Sequence, residues 1–253
     1  MQTTKASPTL AQQTVAKFAQ NAAHKALGPK VSAAVLKDVQ GHDYKKLAAD
    51  LKKLSPQQRL DALADLRQKH NGDAYSDMLN DMRDGKIGDE DLKIAIGIDR
   101  VKVTAWAATE EGSMVVKQLE DRYAAHKIKV DSKDHLGGMG STPEVDVQKG
   151  KNGEGTDSTI NIARELFTSP DAEAAILAHE GVHSLHSATG TRQGAVSEEV
   201  SGNKAMVTVW QQLETEQTHR YQGTAEERSI DETASYNTGD AEFRKHIKEL
   251  YGK

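Results

Sequence analysis

Leu177-Ala178-His179-Glu180-Gly181-Val182-His183-Ser184-Leu185-His186 is the stretch on which the reading of this chain turns. It holds His-Glu-x-x-His inside an otherwise apolar segment, Ala172 to Leu185. Residues four apart in an α-helix share a face, one turn apart. The imidazoles of His179 and His183 can therefore grip one zinc ion, and Glu180 can take a proton from a water activated there. Ala172, Ala174, Ala175, Ile176, Leu177, Val182 and Leu185 leave such a helix little polar face. Burying two imidazoles and a carboxylate in it is costly without partners. Metal ligation supplies partners; the alternative is two core histidines bonded to carbonyls beside a surface glutamate.

Outward from the motif, Thr168-Ser169-Pro170-Asp171 offers a cap, a first-turn proline and an early acid, and Gly190 marks the stop. Upstream, Lys127–Asp131, Glu144–Gln148 and Ser158–Ala163 alternate apolar and polar residues and read as short strands. A Gly137–Gly140 loop and a polar loop over 149–157 separate them, and Thr109–His126 reads as a helix with Val115, Val116, Leu119 and Tyr123 inward. Downstream, helices are expected over Ser197–Glu216 and Ile230–Tyr251. Earlier in the chain, Gly28-Pro29 breaks a loosely patterned helical stretch. Tyr44, Leu47, Leu51 and Leu54 then recur at helical spacing, and Ser55-Pro56 restarts a helix carried on by Leu60, Leu63 and Leu66. A short helix follows near Ala74–Met82. The reading is α+β: a helical N-terminal region, 1–100, before a catalytic domain, 101–253, in which short strands pack on the motif helix. The soft boundary falls between residues 85 and 110, with Trp106 packing the junction.

Two ligands on one helix do not complete a catalytic zinc site, which takes three protein ligands and an open position. His186 lies about 10 Å along the axis from His179 at 1.5 Å per residue, too far to close the site. A continuation with Gly at 186 and His at 189 is ruled out by His186 and Thr189. The third ligand is sought on the next helix, where Glu199 and Asn203 stand four apart. Glu199 would ligate and Asn203 would accept a hydrogen bond from the far nitrogen of a ligating histidine. Glu198, Asp231 and Glu232 stay open as alternatives, and Glu198–Glu199 also reads as ordinary helix-start acid. An oxyanion donor is sought in Tyr236, with Tyr221 and His219 behind it.

This pattern resembles the gluzincins, zinc metallopeptidases with His-Glu-x-x-His and a later helical glutamate. The run Leu177–His186 followed shortly by Glu198-Glu199 is similar to compact metalloprotease effectors that bacteria deliver into other cells. The resemblance implies a zincin-like fold, Zn2+ as cofactor and hydrolysis of a protein or peptide substrate. It also implies a bacterial effector or toxin, secreted or translocated and cytoplasmic before delivery, with a secretion apparatus or chaperone engaging the N-terminal region. Gly181, Gly202 and Asn203 depart from the family pattern.

Composition bounds the rest. The chain has 253 residues and no cysteine, so disulfides and cysteine-ligated metals are ruled out. No apolar run is long enough for a transmembrane helix, and the N-terminus lacks the apolar core of a Sec signal peptide. Net charge is −5, but residues 1–60 carry ten Lys/Arg against three acids. That reads first as a solvated helical face and second as a binding arm for an anionic surface. Aromatic residues are few and no nucleic-acid motif appears, so nucleic acid is not an expected partner. Asn80–Asp91 has a faint calcium-loop spacing but puts Met82 at a ligand position, and reads as a plain loop.

Overall fold

The computed structural model describes residues 29–68, 72–131, 159–191, 193–214, 223–237 and 239–251. The expected strand Glu144–Gln148, the glycine loop before it, His219 and Tyr221 lie outside these residues. In chain order come α1 (Pro29–Gln40), α2 (Tyr44–Leu51), α3 (Pro56–Gln68), α4 (Asp73–Arg83) and α5 (Glu90–Val103). A 3-10 turn (Trp106–Ala108), α6 (Glu110–Ala124), β1 (Ile128–Asp131), β2 (Ile160–Ala163) and a second 3-10 turn (Arg164–Thr168) follow. The chain then enters α7 (Pro170–Thr189), α8 (Ala195–Glu214), α9 (Ala225–Ser235) and α10 (Asp240–Tyr251). The fold is mostly helical with a small parallel sheet, α+β in the broad sense. β1 and β2 pair in register, Ile128 with Ile160 through Asp131 with Ala163. Ile160 and Ile162 are buried in the core.

One expectation changes. The stretch 230–251 is two helices: α9 stops at Ser235, and α10 restarts at Asp240 after Gly239, whose carbonyl accepts from Phe243. The stretch expected as a soft boundary contains α5, a central helix. Asp89 caps it by accepting from Leu92 N–H, and Ile94, Ile96, Ile98 and Val101 are buried. The acids of the faint calcium loop are otherwise engaged. Asp89 pairs with Lys52 at 2.6 Å and Asp91 with Arg59 at 2.5 Å.

One hydrophobic cluster among the described residues runs from Val35 to Ile247, and α5 lies inside it. Trp106 is buried in the turn between α5 and α6, where its backbone N–H donates to Gln212 of α8 at 2.8 Å. Among the described residues three of the early lysines pair with acids: Lys46 with Asp38, Lys52 with Asp89 and Lys53 with Asp50.

α7 is the axis of the molecule. It packs on α8 along much of its length and also on α5 and α6. Ser169 accepts from Ala172 N–H at its start, and Gly190, at φ 67°, ends it in the left-handed region. Asp171 in its first turn is held by Arg100 at 2.6 Å and Arg83 at 3.5 Å, all three side chains being buried. These pairs anchor α7 to α5 and α4.

Candidate metal centre

Almost all of α7 up to Ser184 is buried, the motif included: His179 and His183 are each 7 % exposed and Glu180 4 %. The one-turn spacing brings the two imidazoles together, with their Nε2 atoms 2.9 Å apart. α8 crosses this face and sets Glu199 opposite them. Its Oε2 lies 3.5 Å from His179 Nε2 and its Oε1 3.6 Å from His183 Nε2. His179, His183 and Glu199 thus form a group that can hold a metal ion.

Two glycines make this approach possible. The ring of His179 lies over Gly202, where a Cβ would stand 3.0 Å from three ring atoms. A Cβ on Gly181 would come 2.5 Å from Val115 of α6. Gly202 and Gly181 are therefore seats for α8 and α6 against α7. A glycine inside a helix costs up to about 1 kcal/mol against alanine, and here close packing offsets that cost.

Glu198 is not turned to the group's centre. Its Oε2 is 3.4 Å from His183 Nδ1 and 3.0 Å from His186 Nδ1, and its Oε1 accepts from the Gln193 backbone N–H. Glu198, rather than Asn203, faces the far nitrogen of His183. Asn203, 2 % exposed, instead donates from Nδ2 to the Glu199 carbonyl at 2.8 Å. The reason is rotational. Adjacent helix residues point about 100° apart, so one of the pair Glu198-Glu199 faces the ligand nitrogens while the other reaches behind His183. His179 has no such support: its Nδ1 is buried without a hydrogen-bond partner.

The electrostatics follow the geometry. Burial, then the charge of His179 beside it, lowers His183 to about 4. Burial also works against a proton on His179, but its hydrogen bond to Glu199 and the charges of Glu180 and Glu199 outweigh it and raise its pKa. Burial opposes ionisation of Glu199, yet the two histidines hold its carboxyl below the ordinary range. Two imidazole nitrogens at 2.9 Å cannot both carry protons, and a cation relieves the crowding that a second proton would create.

The remaining sequence-derived residues fall elsewhere. Tyr236 ends α9 and is exposed, its ring stacked on His246 at 3.7 Å. Asp231 accepts from Trp210 Nε1 at 2.7 Å, and Glu232 is exposed. Tyr251, at the end of α10, is 43 % exposed, and its phenol feels the charges of Glu199 and Glu180. Burial of its hydroxyl end and the charges of Glu199 and Glu180 raise it, while a hydrogen bond from Asn203 pulls the other way. Sequence reasoning missed Tyr251 because nothing local ties it to a motif 68 positions earlier. Its one legible sign was the helical spacing with the core residues Phe243 and Ile247. No family model, curated protein or solved structure matches this chain.

Proposed function

We propose that this chain is a zinc-dependent endopeptidase, with zinc held by His179, His183 and Glu199 and with Glu180 as general base. The observation that carries the proposal is the convergence of His179 and His183 of α7 with Glu199 of α8, beside the buried Glu180 of α7. Zinc takes nitrogen and oxygen ligands at about 2.0–2.2 Å in a tetrahedron, which sets ligand-to-ligand edges of roughly 3.3 Å. Here the two nitrogens stand 2.9 Å apart, and Glu199 sets one oxygen 3.5 Å from His179 and the other 3.6 Å from His183. A nitrogen-rich set of two imidazoles and one carboxylate suits zinc better than calcium or magnesium, which prefer oxygen.

Zinc, when bound, polarises a substrate carbonyl and lowers the pKa of a water. The side chains do the rest. Glu180 takes the proton the water loses as it attacks, then delivers it to the amine nitrogen of the broken C–N bond. Tyr251 donates its hydroxyl proton to the carbonyl oxygen as that oxygen gains charge.

A peptide substrate is favoured by β2, the strand immediately upstream of α7's entry turn. Ile160 N–H bonds to Lys127 on the β1 side. Strand alternation turns the backbone groups of Asn161 to the opposite edge, where an extended peptide can add. The setting of a delivered bacterial effector is carried forward with this proposal. It rests on the likeness of the motif and on the short span from His183 to Glu199, 16 positions.

The test is metal analysis of zinc-loaded wild type beside Glu180→Ala and Glu199→Ala, with peptide-library cleavage in parallel. Wild type is expected to hold one zinc and cleave. Glu180→Ala should keep zinc and lose turnover, and Glu199→Ala should lose zinc. A wild type that takes up no zinc would end the proposal; zinc uptake with no cleavage would leave a metal-holding binding protein.

A further inference from the structure

His183 and His179 are adjacent ligands in unequal surroundings. Behind His183 stands a carboxylate, Glu198, 9 % exposed. That carboxylate is shared: Oε2 lies 3.4 Å from His183 Nδ1 and 3.0 Å from His186 Nδ1, while Oε1 lies 3.2 Å from His186 Nδ1 and accepts from Gln193 N–H. A carboxylate only accepts, so an imidazole facing it at Nδ1 must donate there. For His183 this fixes the neutral tautomer with its lone pair on Nε2, the atom facing His179 and Glu199.

We propose that Glu198, clamped by His186 and the Gln193 N–H, is the positioning residue of the metal centre. It acts through His183, holding the ring's tautomer and direction and raising the basicity of Nε2. His186, the third histidine of His-Glu-x-x-His-x-x-His, serves as the clamp rather than as a ligand. A carboxylate with one imidazole neighbour could swing away; donors on both its oxygens leave it one orientation. The turn that delivers Gln193 and the next turn of α7 that delivers His186 thereby meet on a single side chain. The inference rests on the zinc reading and refines which residues set the affinity.

The experiment measures zinc dissociation constants by chelator competition, the visible spectrum of the cobalt(II) form and melting of the metal-free protein. Wild type is compared with Glu198→Gln, His186→Ala and His186→Asn. Glu198→Gln should weaken zinc by about 10- to 100-fold and shift the cobalt spectrum, with metal-free melting held. His186→Ala should show a smaller loss of the same kind, and His186→Asn, which keeps a donor near the Nδ1 position, should recover most of it. Affinity within twofold of wild type in Glu198→Gln and His186→Ala overturns the positioning role. So does a loss of metal-free melting that accounts for the whole effect, since that marks a tie between α7 and α8 only. Wild type that binds no zinc overturns the zinc reading, and this inference with it; wild-type binding shared by all the variants overturns this inference alone.

Discussion

The helices before the site and the helix pair that makes it treat buried polar groups in opposite ways. In α1–α5 the buried acids meet donors. Asp81 takes hydrogen bonds from Tyr44, His42 and Lys86, and Asp99 from Tyr75 and Arg67. Asp171, at the first turn of α7, belongs to this regime through Arg100 and Arg83. Two turns on, the pattern reverses. Two imidazole nitrogens face each other at 2.9 Å, two glutamates stand beside them, and His179 Nδ1 has no partner. Satisfied networks fix a structure, whereas a cluster left short of positive charge is built for something that brings it.

That contrast can be broken at its strongest point first. Asp171→Ala removes a buried carboxylate that two buried guanidinium groups share. Urea unfolding should show a loss of about 3–5 kcal/mol, and a loss under 1 kcal/mol would mean the network is not structural. Next in size is Glu173, the exception to the rule. It is fully buried between α7 and Gly97 of α5, with neither oxygen hydrogen-bonded. Burial raises its carboxyl well above the usual range, against the opposing pull of Lys93. The folded chain therefore keeps a proton that the unfolded chain releases, and stability falls as pH rises above the ordinary carboxylate range toward the raised value. The slope is about 1.4 kcal/mol per pH unit. Glu173→Gln should then be more stable than wild type at neutral pH, with the gap closing as pH falls to the ordinary carboxylate range. A gap that stays constant with pH would show that Glu173 ionises freely in the fold. The smallest effect belongs to Tyr251→Phe. Turnover should drop about 10-fold or somewhat more with zinc affinity and KM held, and an unchanged kcat would remove Tyr251 from the chemistry.

Legibility in the sequence followed the range of the forces involved. α7 was readable from end to end because cap, proline, spacing and stop are all set within a few residues. α5 was not. It is buried nearly all round and carries Ile94, Ile96 and Ile98 at every second position, so it shows no one-sided helical stripe. The break between α9 and α10 was hidden for a related reason: the signal is one glycine, and tertiary packing chose where to turn.

The sequence by itself determined the pair of histidines and the glutamate between them, since their geometry depends only on the helical repeat. It also determined that Glu198 and Glu199 both lay near enough to matter. Tertiary structure alone decided which glutamate faces the nitrogens and which stands behind His183, because that depends on the rotation of α8 as it packs over Gly202. A helix fixes directions within itself, but only the packing of one helix on another fixes which of those directions meet.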